Sequence, residues 1–328
     1  MTRRLFLHAA GGAALAATLP GAHAQAFPSR PVRLVVPFPP GGPTDVFARL
    51  YAAGLAQQLG QAVTVENKAG ASGAIGSMEV MRAPADGHTL LFGTASTHGL
   101  YNLVQPKPQY DALQDFAYVG VLGGAPLVFA VAPSMPRTLK TVVIAARRNP
   151  GKYSYGSPGS GTMMHISAER LKMLTDTPSI THVPYKGSAP ALQDLMGGSI
   201  EITVDTLGTL LAHHQAGRVR IVGVASARRL ALAPDIPTVA ESADLPAPFE
   251  AMLWNVVAAP RDTPAPVLRA LSDATQRVMD DPALRTRLEG QAIFPDLHLG
   301  QAAALAYVRA EQAKWKPIVT ALGSLATG

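Results

Sequence analysis

The residues best placed to do chemistry are Pro39-Pro40-Gly41-Gly42, followed at once by Thr44 and Asp45. Two glycines before a helix start let the backbone pass close to a ligand, and the unpaired N–H groups of the first helical turn point at whatever fills the gap. Such a site takes an anion without a lysine or arginine. The same residues also suit a plain strand–turn–helix connection. What argues for more is recurrence. Similar glycine- and hydroxyl-rich stretches follow at Asn67-Lys68-Ala69-Gly70-Ala71-Ser72-Gly73-Ala74, at Gly93-Thr94-Ala95-Ser96-Thr97-His98, at Gly156-Ser157-Pro158-Gly159-Ser160-Gly161-Thr162 and at Pro184-Tyr185-Lys186-Gly187-Ser188. Each is turn chemistry by itself. Together they describe a cleft lined with N–H and O–H donors.

The surrounding pattern supplies elements to hold these loops. Residues 32–38 read as a short buried strand, after which Thr44 suits a helix N-cap and Asp45 a first-turn acid that complements the helix dipole. The helix buries Phe47, Tyr51, Leu55 and Leu59 at i+4 spacing. Further strand-like runs lie at 63–66, 89–92, 127–131, 153–155, 180–183, 202–204 and 221–225, with helical patterns at 138–147, 162–174, 189–196 and 207–216. This alternation predicts parallel sheets covered by helices, whose strand ends share one ligand-binding edge. Residues 230–250, rich in proline and alanine, read as irregular. Helices follow at 264–279 and 300–322, the last with Leu305, Val308, Trp315 and Val319 as a core stripe and with Pro317 expected to kink or end it.

Composition narrows the classes. The chain has 328 residues, a formal charge of +6 and no cysteine, so disulfides and thiolate metal sites are excluded. Thr2-Arg3-Arg4, an apolar stretch over 5–19 and the small-x-small site Ala22-His23-Ala24 read as an export signal, twin-arginine or Sec, with the mature chain starting at Gln25. The stretch is too short and too glycine-rich to span a membrane. A periplasmic, soluble product is expected. Arg147-Arg148 and Arg228-Arg229 are isolated basic pairs without interleaved aromatics, which argues against nucleic acid as a partner. No cofactor or metal is expected.

The motifs RPVRLVVPFPPGGPTDVFAR, VTVENKAGASGAIGS, APADGHTLLFGTASTH, YDALQDFAYVG, YSYGSPGSGTMMH, HVPYKGSAPALQDLMGG, APDIPTVAES, APRDTPAPV and EQAKW run in order along the chain. On them the chain resembles the substrate-binding receptors of tripartite tricarboxylate transporters, the Bug receptors. The resemblance implies an α/β fold of the type II periplasmic binding-protein kind, with two α/β domains, two crossover segments near 125–131 and 250–256, and a ligand cleft between. It implies an export signal over 1–24, a first domain of 25–127 plus 250–328, and a second domain of 128–249. It also implies a monomeric receptor that captures a small organic carboxylate by hinge closure and hands it to a membrane permease.

Carried onto this chain, the resemblance nominates Phe38, Gly42, Thr44 and Asp45 on one side of the ligand, with Ser157, Ser160, Gly161, Thr162 and His165 opposite. Ser72, Gly73, Ser96 and Thr97 would line the first domain; Tyr185, Lys186, Gly187 and Asp205 the second. Asp45 suits orienting its loop better than touching the ligand, while His165 equally suits a structural role and Lys186 a solvated surface. Asp205 would repel a second carboxylate and suit an amine or hydroxyl. Phe38 is either core or a stacking wall. The chain departs from the family pattern at the proline-rich 105–109 and at Pro317.

Other classes leave traces. Gly70-Ala71-Ser72-Gly73-Ala74 is a near miss to the G-x-S-x-G nucleophile elbow of serine hydrolases, with Ala74 replacing the last glycine and no HGGG-type oxyanion motif. His213-His214 invites a metal- or phosphate-binding reading, yet adjacent rings on a helix point apart. A sensor kinase instead of a permease is an alternative recipient.

Overall fold

The computed structural model describes residues 27–326, so the expected export signal over 1–24 lies outside the described residues. The strands are β1 (Val32–Val36), β2 (Val63–Asn67), β3 (Thr89–Thr94), β4 (Phe116–Val131), β5 (Ser154–Ser157), β6 (Thr181–Pro184), β7 (Ile202–Thr206), β8 (Arg220–Val224), β9 (Met252–Pro260) and β10 (Phe294–Leu299). The α-helices are α1 (Pro43–Leu59), α2 (Ala74–Met81), α3 (Tyr101–Val104), α4 (Leu139–Arg148), α5 (Met163–Leu174), α6 (Ser188–Gly197), α7 (Leu207–Gln215), α8 (Val239–Ala243), α9 (Ala265–Asp280), α10 (Pro282–Gly290) and α11 (Gln301–Leu322). All eight expected strands and all the expected helices are present, seven of the strands to within two residues at each end and 127–131 as the last part of the longer β4. The 230–250 stretch carries one short helix, α8.

The strands follow the order β2-β1-β3-β9-β4-β7-β5-β6, with β8 and β10 added to β4. β1 is parallel to β2 and β3, and β5 to β6 and β7. The centre departs from the parallel expectation, because β9 is antiparallel to both β3 and β4, and β4 is antiparallel to β7, β8 and β10. β4 is a 16-residue strand, buried throughout, that belongs to two sheets. Its first part, to Pro126, pairs with β9, and Leu127 onward pairs with β7. Backbone therefore passes between the sheets on extended strand, where ladder bonds keep its polar groups satisfied.

The helix after β1 begins differently from expectation. Gly42, not Thr44, is the N-cap, and Pro43 takes the first helical position, where a missing N–H costs nothing. Asp45 falls in the first turn as expected. Phe47, Tyr51 and Leu55 are fully buried against the first sheet, each contributing about 1.5–3 kcal/mol, while Leu59 is half-buried. Tyr51 anchors α1 to α9 through a 2.7 Å hydroxyl–hydroxyl bond with Thr275. A second core joins both sheets and takes in Phe129, Trp254, Val308, Trp315 and Val319. α11 runs on through Pro317 to Leu322, so the proline does not end it, and Trp315 is core as read. Among the described residues, no helix is long and apolar enough to cross a membrane.

Candidate ligand-binding cleft

Three helices begin at one place. The N-termini of α1 (Gly42, Thr44), α5 (Thr162, Met164) and α6 (Gly187, Ser188, Ala189) line a single cleft of about 520 Å³, counted out to its mouth. Phe38, Pro39, Pro40 and Pro43 form one wall, Pro158, Lys186 and Pro190 another, and Ser96 and Leu253 complete it. First-turn N–H groups lack intrahelical acceptors, and each helix adds a partial positive charge at this end. All three helices have at least ten residues. Such a cleft favours an anion, and it does so from both sheets at once.

Contacts between loops of the two sheets join the two sides of the cleft. The Met163 amide donates to the Ser96 Oγ at 3.0 Å, and the Ser72 hydroxyl donates to the Ser160 carbonyl. A Cβ on Gly187 would stand 3.1 Å from Pro39 Cγ, and one on Gly161 3.3 Å from Val104.

Of the residues nominated from sequence, Phe38, Gly42, Thr44, Ser96, Thr162, Lys186 and Gly187 line the cleft. The others stand behind its walls or join the two sides. Asp45 orients its loop: one carboxylate oxygen accepts from the Gly41 amide (2.9 Å) and Arg49 Nε (3.0 Å), the other from Asn67 (2.8 Å). Burial alone would raise this carboxyl, but Arg49, Gly41 and Asn67 outweigh it and hold it below the ordinary range. The hydroxyl of Ser72, a residue at φ +52°, is spent on the Ser160 carbonyl. Gly73 is needed for its backbone, since at φ +95° a Cβ would lie 2.5 Å from Thr97 and 3.1 Å from Phe38. Thr97 closes the turn after β3 in a reciprocal cap with Thr94.

Beneath the β5–α5 loop lies a stacked column that sequence reading missed. His182 stacks on His165 at 4.1 Å and on Tyr155 at 4.8 Å. His182 Nε2 meets the Ser157 hydroxyl at 2.7 Å, and His165 Nδ1 accepts from the Gly161 amide at 2.9 Å. Ser157, Gly161 and His165 are therefore braces of the loop, not its lining. Burial, with Lys172 adding repulsion, lowers His165 to about 4; burial first, then His165 itself, lowers His182 to about 3. Both rings are neutral at pH 7. The hydroxyl of Tyr155 donates to Glu169 at 2.6 Å, and Lys172 pairs with the same oxygen at 2.8 Å.

Tyr185 turns its hydroxyl to Asp194 at 2.7 Å, outside the cleft lining. Asp205 is buried, accepts from the Thr206 amide at 2.7 Å, and is pushed up by burial, so it too sits behind the wall. Met164, Ser188, Ala189, Pro190 and Leu253 line the cleft without having been singled out. A second cavity, about 720 Å³, shares Pro43, Ser188 and Ala189 with the first and is lined by His213. His214 instead accepts from the Ile221 amide at 3.2 Å, so the adjacent pair serves separate partners. Among the described residues, no three His, Asp or Glu side chains gather to hold a metal ion.

Comparison with known proteins agrees with this geometry. The sequence pattern of the tripartite tricarboxylate transporter family receptor matches residues 47–324. A Pseudomonas sp. (strain P51) protein encoded in the tcbD-tcbE intergenic region is 39% identical, over 83% of this chain and 81% of its own. Among solved structures, Rpa4515 of R. palustris, determined with adipate, superposes with a TM-score of 0.86 at 34% identity, covering 90% of this chain and 98% of that one. MatC from Rhodopseudomonas palustris, with bound malate, gives 0.82 at 32% identity over 89% of this chain and 100% of that one.

Proposed function

The chain belongs to the receptors of the tripartite tricarboxylate transporter family, and from that premise we propose that it captures a small organic carboxylate in this cleft and passes it to a membrane permease. In this reading the chain is exported to the periplasm and acts there without catalysis. Its two lobes are residues 25–127 with 250–328, and residues 128–249, hinged at β4, which belongs to both sheets, and at Ala251, whose backbone bonds Leu127 and Ala225 just before β9. The convergence of the α1, α5 and α6 N-termini on one cleft carries the proposal. A carboxylate placed there takes hydrogen bonds from both lobes, so its binding energy favours the closed arrangement over the open one. Water is excluded on closure, which strengthens those bonds. Adipate and malate bound to the two R. palustris receptors support a carboxylate as the ligand class.

The hydrolase alternative has no support at Ser72, whose hydroxyl donates to a backbone carbonyl. A thermal-shift screen against a carboxylate panel tests the proposal. A ligand at about a hundred times its dissociation constant adds roughly 2.7 kcal/mol of stability. If no carboxylate shifts the transition, the proposal is wrong.

A further inference from the structure

We propose that the second cavity is a separate binding site for an uncharged molecule with an apolar body and a hydroxyl or amide group, and that filling it holds the two lobes together. This inference rests on the two-lobe receptor reading above and goes beyond it, to a site other than the carboxylate cleft. The cavity, about 720 Å³ out to its mouth, is larger than the cleft and shares with it only Pro43, Ser188 and Ala189. Its size is that of a small-molecule pocket. Unfinished closure does not account for it. At its edge the two lobes already meet backbone to backbone, since a Cβ on Gly208 would stand 2.0 Å from the Gln291 carbonyl oxygen.

The two walls differ in chemistry. The first lobe presents Pro43, Val46, Ala125 and Ile293, with Gln291 as their polar neighbour. The second lobe presents Ser188, Thr206, Thr209 and His213 beside Leu192. The Thr206 and Thr209 hydroxyls are bonded to each other at 2.9 Å, which leaves acceptor capacity on both. His213 Nδ1 is buried and has no hydrogen-bond partner among the described residues. Among those residues the lining holds no Lys, Arg, Asp or Glu, and Asp205 lies behind it, buried on the Thr206 amide. An ion placed here would lose hydration without a counter-charge in the wall. An uncharged amphiphile fits, its apolar side on Val46 and Ile293 and its polar group among Ser188, Thr209 and His213. Because these walls belong to different lobes, the molecule touches both only when they are closed, so its binding favours that arrangement. By linkage it also tightens the hold on a carboxylate in the cleft.

The test is calorimetric titration of the mature protein with benzamide and with its cationic counterpart of the same shape, benzamidine. Benzamide is expected to bind with a Kd of about 1 mM or tighter, and benzamidine roughly tenfold more weakly or not at all. Two variants locate the site, with thermal melting to confirm that each is folded. Leu192→Trp fills the cavity and His213→Leu removes its imidazole, and each is expected to weaken benzamide by roughly tenfold or more. Small-angle scattering is expected to show a smaller radius of gyration for the wild type with saturating benzamide than without it. No benzamide binding, tighter binding of benzamidine, undiminished binding in both folded variants, or an unchanged radius overturns the inference. None of these outcomes involves a carboxylate, so the receptor reading stands or falls separately, on the thermal-shift screen.

Discussion

The Ser96 side-chain oxygen accepts the Met163 amide at 3.0 Å, and this buried bond joins the turn after β3 to the first residue of α5. Ser96 also lines the cleft. Met163 N–H belongs to the first turn of α5 and has no intrahelical acceptor, so Ser96 satisfies a donor that opening would expose to water. One hydroxyl thus lines the cleft and ties its two sides together.

Replacing that hydroxyl tests the link. Ser96→Ala leaves the Met163 amide without a partner in the closed form, a cost of about 1–2 kcal/mol, equivalent to roughly 5- to 30-fold weaker affinity. Ser72→Ala, which loses its bond to the Ser160 carbonyl, is expected to act in the same direction. Calorimetry gives the affinities, and small-angle scattering shows whether the ligand-saturated variants are more extended. Wild-type affinity in both variants would mean that these bonds do not contribute to closure.

Gly42 separates binding from folding. Its φ of −77° is open to any residue, and a Cβ there would meet only the Pro39 carbonyl, at an ordinary 3.6 Å. Gly42→Val is therefore expected to fold with stability within about 1 kcal/mol of wild type. The added side chain projects at the head of α1, where the ligand must approach the amides, and affinity is expected to fall by roughly a hundredfold or more. Thermal melting and calorimetry on the same sample decide; unchanged affinity would remove the α1 N-terminus from the site.

The stacked histidines give the anion loop an acid limit. Their native pKa values, about 4 for His165 and about 3 for His182, lie below the 6.5 of an exposed imidazole. The unfolded chain therefore binds more protons as pH falls below 6.5, and stability present above that pH is lost progressively down to about pH 4 and 3. Each histidine contributes a slope of about 1.4 kcal/mol per pH unit inside its window. His98, buried and lowered to about 3, adds a parallel slope. Urea titrations at pH 7.5, 6 and 5 are expected to show falling stability, and His182→Gln a shallower fall. An equally steep fall in that variant would assign the acid sensitivity elsewhere.

What could be read from the sequence, and what could not, follows from glycine and proline. The anion loops and the helix stripe of Phe47, Tyr51 and Leu55 were legible because their chemistry is local. The first part of β4 was not, since Gly120, Gly123, Gly124 and Pro126 read as breakers. In the fold these glycines are where other strands come close: a Cβ on Gly124 would stand 2.1 Å from the Leu253 carbonyl oxygen, and one on Gly123 2.3 Å from that of Phe294. Because β9 and β10 were hidden with it, Leu253 was missing from the predicted site. Met164 and Pro190 were missed for a different reason. They read as the first turns of ordinary helices, and only the packing of α5 and α6 across the cleft gives those turns a ligand to face. Conversely, His165 and Asp205 were nominated for the ligand. What turns them from it, the His182 ring and burial behind the wall, comes from packing that spacing does not suggest. The loop-orienting role of Asp45, by contrast, is legible from Arg49 at i+4.

Asp205 provides the sharpest contrast between the sequence expectation and the structure. A ligand-contacting carboxylate would be indispensable, whereas one buried behind the wall costs stability when charged. Burial raises its pKa, so its contribution is most favourable at low pH and is lost as pH rises through the native value. Asp205→Asn keeps an oxygen for the Thr206 amide and removes the buried charge. At pH 7.5 the variant is expected to be as stable as wild type or more so, with the difference shrinking toward pH 4, and to bind ligand within about twofold. Chemical denaturation at the two pH values and calorimetry at the higher one measure both. A tenfold loss of affinity with stability intact would return Asp205 to the ligand, and with it the possibility of an amine or hydroxyl on that ligand.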